Sequence, residues 1–406
     1  MSIIPEFYKN KNEDYFTIPV LKKFIKERID TQRNISVLNK EECWNSVESF
    51  AEESEQNKEI VFSWIDNTMG EGIQEIYIYS RKCESTVVAQ ISSEKGFENF
   101  IAKYLSFNTN CHLCENHYDS DLRLVRATLE NGKSDFIKLL FCKKLYYREE
   151  KNSTETKSIY YPIVVEYYFK NGWLVIKAKS KSNLYEYTDV FSDTTPSTSP
   201  KKQIENALSR VEQFFNIHGD DKKKDSHTLK IKVFNFLDSL VKTPPEIQEI
   251  LNSLSEQIDC ISENIAEFCS VNGGKINDVK DDIKNLFEKH ISINYIDINV
   301  FKKGKAAYPT RLSATDEEET KVETTAARGE PLQTKAAFFD SKKILYNQQS
   351  CEGLTLMWKR KSQGFFNEEY IPVKIKVGTS GECVISFRKY TAKEDIDDVI
   401  WTIVNF

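Results

Sequence analysis

Two runs of alternating residues, Ile159–Lys170 and Trp173–Ser182, flank Asn171-Gly172. Asn-Gly between such runs predicts a β-hairpin, because a type I′ turn needs positive φ at both central positions. A two-residue loop would set Phe169 opposite Leu174, Tyr167 opposite Ile176 and Val165 opposite Ala178. That face is apolar and is expected to point at a core. The other face would pair Lys170 with Trp173, Tyr168 with Val175, Glu166 with Lys177 and Val164 with Lys179, with Lys181 extending the row. Lysines beside aromatic rings on an open sheet suit a single-stranded nucleic acid: the charges follow the backbone and the rings stack bases. The plainer reading is a solvated face whose lysines discourage edge pairing.

Periodicity along the rest of the chain predicts short helices at 18–29 and 41–54, strands at 58–65, 73–80 and 86–92, and a helix at 96–106. The 73–80 strand is apolar on both faces. A second Asn-Gly hairpin is predicted from Leu122–Glu130 and Lys133–Phe141 about Asn131-Gly132, giving an antiparallel meander. Residues 192–200 have linker composition, with Ser199 a cap and Pro200 the first residue of a helix over 200–217. A hydrophilic break follows at 218–226.

Ile247, Leu251, Leu254, Ile258, Ile261, Ile265 and Phe268 recur at alternating steps of four and three, behind a Thr243 cap and Pro244-Pro245. This is a heptad seam. Gly273-Gly274 ends it, and a partner helix over 276–289 offers Ile276, Val279, Ile283 and Leu286. The pair reads as an intramolecular helical hairpin or, more sharply, as a dimerisation coiled coil. Residues 291–301 read as a strand. Residues 302–335, with an acidic run Asp316–Glu319, read as a long loop. The tail predicts a strand at 353–360, a hairpin of Ile371–Val377 with Glu382–Lys389, and a helix at 393–405. The expected fold class is α+β: two units with mainly antiparallel sheets (1–191 and 291–406) joined by a helical middle (200–290).

A chain of 406 residues is expected to hold two or three domains. The net charge of −6 is too mild for a strongly basic nucleic-acid binder, but its distribution is uneven. Residues 41–100 hold 13 acidic and 4 basic residues, whereas 335–390 hold 10 basic and 5 acidic. No apolar run is long enough for a transmembrane helix, and the polar N-terminus lacks a signal-peptide core. Nine scattered cysteines suit reduced thiols and a cytoplasmic location. Richness in Lys, Ile, Asn, Tyr and Phe points to an AT-rich bacterial genome or its mobile elements.

Candidate chemistry is sparse. Cys111, Cys114 and His117 have zinc-like spacing, with Cys83 or Cys142 as a fourth ligand; the alternative is a loop with two reduced thiols. A nuclease of the carboxylate-x-Lys type would need a carboxylate where Val175 stands before Lys177. No phosphate loop, Gly-x-Ser-x-Gly or His-Glu-x-x-His is present. The second basic region places Trp358 and Arg360 beside a strand on which Lys374 and Lys376 share one face, repeating the central arrangement. The leading expectation is a non-enzymatic nucleic-acid-binding component (DNA or RNA) of a larger bacterial complex, in a setting such as phage defence. The alternatives are a scaffold or homo-oligomer assembling through the 247–287 helices, and a metal-dependent enzyme.

Overall fold

The computed structural model describes residues 3–9, 15–29, 38–107, 110–130, 135–149, 155–188, 190–192, 194–219, 221–268, 273–315, 321–326, 329–362 and 368–405. The Asn131-Gly132 turn and the acidic run at 316–319 lie outside these. The chain is α+β, and every strand pairing is antiparallel. In chain order the strands are β1 (Gln74–Ser80), β2 (Arg123–Glu130), β3 (Phe136–Tyr147), β4 (Lys157–Tyr168), β5 (Trp173–Lys179), β6 (Leu184–Glu186) and β7 (Ser197–Thr198). Then come β8 (Ala307–Thr315), β9 (Lys321–Thr325), β10 (Gly353–Lys359), β11 (Tyr370–Val377) and β12 (Glu382–Phe387). The chain divides into two compact units, each discontinuous in sequence. One comprises 1–225, 360–369 and 379–400, the other 226–359, 370–378 and 401–406.

The first unit orders its strands β7-β6-β3-β4-β5-β1-β12, with β2 on β3. Helices cover both sides. On one side Ile163, Val165, Tyr167, Leu174 and Ile176 pack with Phe97 and Phe100 of helix Glu94–Ile101 and with Ile204, Val211 and Phe215 of helix Pro200–Phe215. On the other, Val125, Leu140, Cys142 and Val164 pack with Trp44 and Val47 of helix Lys40–Glu52 and with Val61 and Ile65 of helix Glu55–Thr68. β4 therefore serves two cores at once.

Helix Glu55–Thr68 replaces the strand expected at 58–65. Val61, Phe62, Ile65 and Met69 form a helical stripe, and the Ser54 side chain accepts from the Asn57 N–H as an N-cap. Helix Ser85–Ile91 likewise replaces the strand expected at 86–92; Val87 and Val88 lean on the core from it, so tertiary packing overrides their β-branched preference. At two further helices the caps follow local rules. Asn39 and Glu42 form a reciprocal box, and Ser199 accepts from Lys202 N–H with Pro200 at the first turn.

One polar cluster is built into the second core. His112 is buried, with Nδ1 2.7 Å from Asp66 Oδ2 and Nε2 2.9 Å from Glu59 Oε2. Burial on its own would lower the His112 pKa, but the hydrogen bond and charge of Asp66, joined by Glu59, outweigh it and hold the imidazolium above its usual range. A folded-state value above the unfolded one stabilises fully below about pH 6.5 and loses that stabilisation as pH rises through the folded value. The urea midpoint is therefore expected to fall between pH 6 and 9 more steeply in the wild type than in His112→Asn. Equal slopes in the two proteins would refute the linkage.

The second unit orders its strands β11-β10-β8-β9. Leu354, Leu356, Trp358, Ile371, Val373 and Ile375 are buried on the inner side. Phe236 of helix Lys222–Val241 meets Trp358 with ring centroids 5.6 Å apart, and Thr324 of β9 hydrogen-bonds Ser341 of helix Ala336–Gln348 at 2.7 Å. β8 and β9 fall where a long loop was expected. The strand expected at 291–301 is instead the end of helix Gly273–Asn294 followed by a 3-10 turn, Ile298–Phe301. The heptad segment is two helices, Pro245–Ser253 and Ser255–Phe268, broken at Leu254. Thr243 does not cap them; its hydroxyl donates to Glu288 Oε1 at 2.8 Å.

Candidate nucleic-acid interface

The central hairpin forms, but with a different turn. Tyr168 pairs with Trp173, Tyr167 with Leu174 and Val165 with Ile176, so Phe169–Gly172 is a four-residue loop. The amides of Asn171 and Gly172 both donate to the Tyr168 carbonyl, and only Gly172 has positive φ, at 70°. The register thus slips by two residues from the expected one. A slip of two keeps every side chain on its own face, so the division into an apolar and a lysine-bearing face holds.

What differs is that the lysine-bearing face is not open. Lys177 and Lys179 are 2 % and 3 % exposed, and Tyr168 is buried with its hydroxyl donating to Glu166 Oε2 at 3.1 Å. Lys177 Nζ lies 2.7 Å from Glu166 Oε1 and 3.5 Å from Asp397 Oδ1. Lys179 Nζ sits 3.7 Å from the centre of the Tyr15 ring. N-terminal helices cover this side, a layer that the hairpin's own pattern does not announce. Lys170 is exposed and paired with Asp135 at 2.5 Å, Lys181 is half-buried over the Tyr147 ring, and Trp173 is half-buried. These six residues do not form a groove.

The C-terminal basic region is different. Along β11, Ile371, Val373, Ile375 and Val377 are buried, whereas Lys374 and Lys376 are exposed. Across the open side of this sheet, Lys374 stands opposite Thr355, which stands opposite Arg311, which stands opposite Thr325. The next row runs Lys376, Gly353, Ser313, Glu323. A third, beyond a bulge, sets Pro372 against Met357 and Met357 against Tyr308. Lys359 and Tyr370 close the far end, with the Tyr308 and Tyr370 rings edge-to-face at 5.3 Å and Lys302 Nζ 4.9 Å from the Tyr308 ring centre. Arg311 is bound to Glu323 at 2.6 Å. Among the described residues neither Lys374 nor Lys376 has a carboxylate within salt-bridge distance. Spaced two residues apart on one strand face, they stand roughly 7 Å from each other, close to the spacing of successive phosphates in an extended strand.

Trp358 and Arg360 do not join this face. Trp358 is wholly buried among the inner residues. Arg360 belongs to the first unit, where its guanidinium reaches Asp395 at 3.3 Å and the Tyr390 carbonyl at 3.0 Å. Tyr308 and Arg311 were missed because they fall in the segment taken for a loop. The alternation Arg311, Leu312, Ser313, Ala314 carries a period-two signal there, obscured by Pro309 and the bulge.

At the cysteine cluster, Cys111 and Cys114 are half-buried and pack against the second core, burial pushing the Cys114 thiol up. His117 is exposed, its Nδ1 3.3 Å from the Tyr160 hydroxyl. Among the described residues no three His, Cys, Asp or Glu side chains gather in a metal-binding group. In the heptad seam, Ile247 and Leu251 are buried with Phe287, Ile291 and Phe301, Leu254 sits at the break and Ile258 is buried. Ile261 and Ile265 are 37 % exposed and Phe268 is 90 % exposed. An Asp259–Lys280 ion pair at 2.5 Å ties helix Ser255–Phe268 to helix Gly273–Asn294. No helix among the described residues is long and apolar enough to cross a membrane. No protein-family model matches the chain, and no curated protein sequence matches it.

Proposed function

We propose that the protein is a non-enzymatic nucleic-acid-binding component of a larger assembly, and that a single-stranded segment lies across the open side of β11, β10 and β8. The observation that carries this reading is a pair of exposed lysines with no carboxylate partner among the described residues, Lys374 and Lys376, on a four-stranded face that also holds Lys359 and Arg311. The lysines follow phosphates, and the half-buried Tyr370, backed by the buried Tyr308 ring, supplies an aromatic end against which a base can stack.

Fluorescence anisotropy with single- and double-stranded DNA and RNA, at low and moderate salt, tests it. Lys374→Glu/Lys376→Glu is expected to weaken binding by at least about tenfold and to flatten the slope of log K against log salt by roughly 1.4, two phosphate contacts on a single strand. Lys170→Glu/Lys181→Glu is expected to leave affinity nearly unchanged. Binding to none of the probes, or equal binding by the Lys374/Lys376 variant, would sink the proposal.

A second reading, self-assembly through the helical hairpin, is favoured by the outward-facing Ile261, Ile265 and Phe268, which continue the heptad spacing of the buried Ile247 and Leu251. A second copy of the chain is the partner that a continued heptad seam fits.

A further inference from the structure

A cavity of about 230 Å³ opens in the first unit between helix Glu55–Thr68 and the strands β2 and β3. Its walls include Ser63 and Asn67 from the helix, Arg126, Thr128 and Glu130 from β2, and Lys138 from β3. We propose that this cavity binds a small oxyanion, a carboxylate or a phosphate, held between Lys138 and Arg126.

Lys138 is a cation with a neutral partner, beside Arg126, whose two carboxylate contacts are long. Lys138 Nζ donates to a neutral group, Asn67 Oδ1, at 2.5 Å, and among the described residues no carboxylate lies within salt-bridge distance of it. Glu166 faces Lys138 across the strand pair, but both its oxygens are taken, Oε1 by Lys177 and Oε2 by the Tyr168 hydroxyl. Asp66, at the cavity wall, is likewise engaged: Oδ1 accepts the Leu113 amide at 3.1 Å and Oδ2 faces His112. Glu59 receives His112 on one oxygen and the Ser63 hydroxyl on the other. Arg126 forms long ion pairs with Asp66 and Glu59, at 3.8 and 3.9 Å, with its guanidinium against the His112 ring. Glu130 is exposed at the rim and accepts the Thr128 hydroxyl.

Asp66 and Glu59 are engaged by His112, while Lys138, Arg126 and the Asn67 side chain border the open space; the Ser63 and Thr128 hydroxyls already donate to Glu59 and Glu130. Burial pushes the Lys138 pKa down, as expected for an ammonium taken from water without a partner. An oxyanion would supply that partner through charge-assisted hydrogen bonds. The volume limits it to a molecule of a few carbon atoms or a phosphate group. This site is separate from the proposed nucleic-acid face, and its chemistry does not depend on that reading.

Isothermal titration of the full chain with inorganic phosphate, with succinate and with methylammonium tests the proposal and separates the two oxyanion sources. Saturable binding of phosphate or succinate is expected, and none of methylammonium. Lys138→Met is expected to weaken that binding by at least about tenfold, the scale of one lost charge-assisted contact, and Lys138→Arg to restore most of it. Thr128→Val, which keeps the shape but frees the Glu130 carboxylate at the rim from its hydroxyl partner, is expected to give a smaller loss. Amide chemical-shift changes at Ser63, Asn67 and Thr128 should saturate with the same affinity. Absence of saturable binding by either anion, undiminished binding in both Lys138→Met and Thr128→Val, or preferential binding of methylammonium would each overturn it.

Discussion

Lys177→Met is expected to cost the first unit about 3–5 kcal/mol, the scale measured when one partner of a buried ion pair is removed. Lys177 is buried between Glu166 and Asp397, which accept from it at 2.7 and 3.5 Å. Without the ammonium, two carboxylates share a dry site. Burial already pushes the Asp397 pKa up, whereas for Glu166 burial is outweighed by Lys177, which holds its carboxyl below the usual value. In the variant this holding charge is gone, and protonation becomes the means of relief. The stability gap to wild type, measured by urea unfolding, should be wide at pH 8 and narrower at pH 5. Lys177→Met/Glu166→Gln should recover much of it, since an apolar or neutral replacement of a whole buried pair is often tolerated. A single variant within 1 kcal/mol of wild type would mean that Lys177 turns to solvent, and would return this face to the list of candidate binding surfaces.

Ile258→Asp and Ile261→Asp/Ile265→Asp are expected to part company, although all three residues lie on one helix and one heptad pattern. Ile258 is buried. An aspartate there loses the side-chain burial and adds an unpaired charge, so a loss of roughly 3–5 kcal/mol and unfolding of the helical hairpin are expected. Ile261 and Ile265 are 37 % exposed, so the double variant should lose clearly less stability than Ile258→Asp and is expected to stay folded. If a second copy docks on this stripe, the same double variant should sediment as a monomer where the wild type does not. A monomeric wild type would end the self-assembly reading. Unfolding of Ile261→Asp/Ile265→Asp would show instead that these side chains are buried in the folded chain.

The sequence made the strand patterns and helix caps legible where a local rule decides them. The Ser199 cap, the alternation along β11 and the hydrophobic faces of the central hairpin all follow from short-range chemistry. The antiparallel α+β class follows from the same patterns. Errors arose where tertiary context decided. Val87 and Val88 prefer strands but lie in a helix that leans on the core. The Asn171-Gly172 pair adopts a four-residue loop with only one positive φ. Most consequential, Lys177 and Lys179 look solvent-facing from the alternation of β5, because a strand's own pattern does not reveal what packs upon it. Two apolar residues on that face, Val164 and Val175, were the available hint, since a face with both valines and lysines is compatible with a covered layer containing ion pairs. At the C-terminal face the pattern of Lys374 and Lys376 was readable, but Arg311 and Tyr308 were hidden in a segment whose proline and bulge disrupt the period.

β1 has a temporal consequence. It lies between β5, joined to it by a hydrogen-bonded register from Gln74–Lys179 to Ser80–Trp173, and β12, which pairs with it from Glu75–Ser386 to Tyr79–Glu382. The first neighbour follows within about a hundred residues of chain; the second comes some three hundred residues later. At a ribosomal rate of about 5–20 residues per second, β1 waits roughly 15–60 s for its last neighbour, with one edge of backbone donors and acceptors unpaired. Asp397 comes 220 residues after Lys177, so for roughly 11–44 s at that rate Lys177 has Glu166 alone to meet its charge. An unpaired edge of Ile76, Tyr77, Ile78 and Tyr79 is apolar and rich in strand-forming residues, the kind of template on which neighbouring nascent chains add strands. Yield during synthesis should therefore depend on how quickly the final strand and helix follow, and on whatever shields that edge until they do.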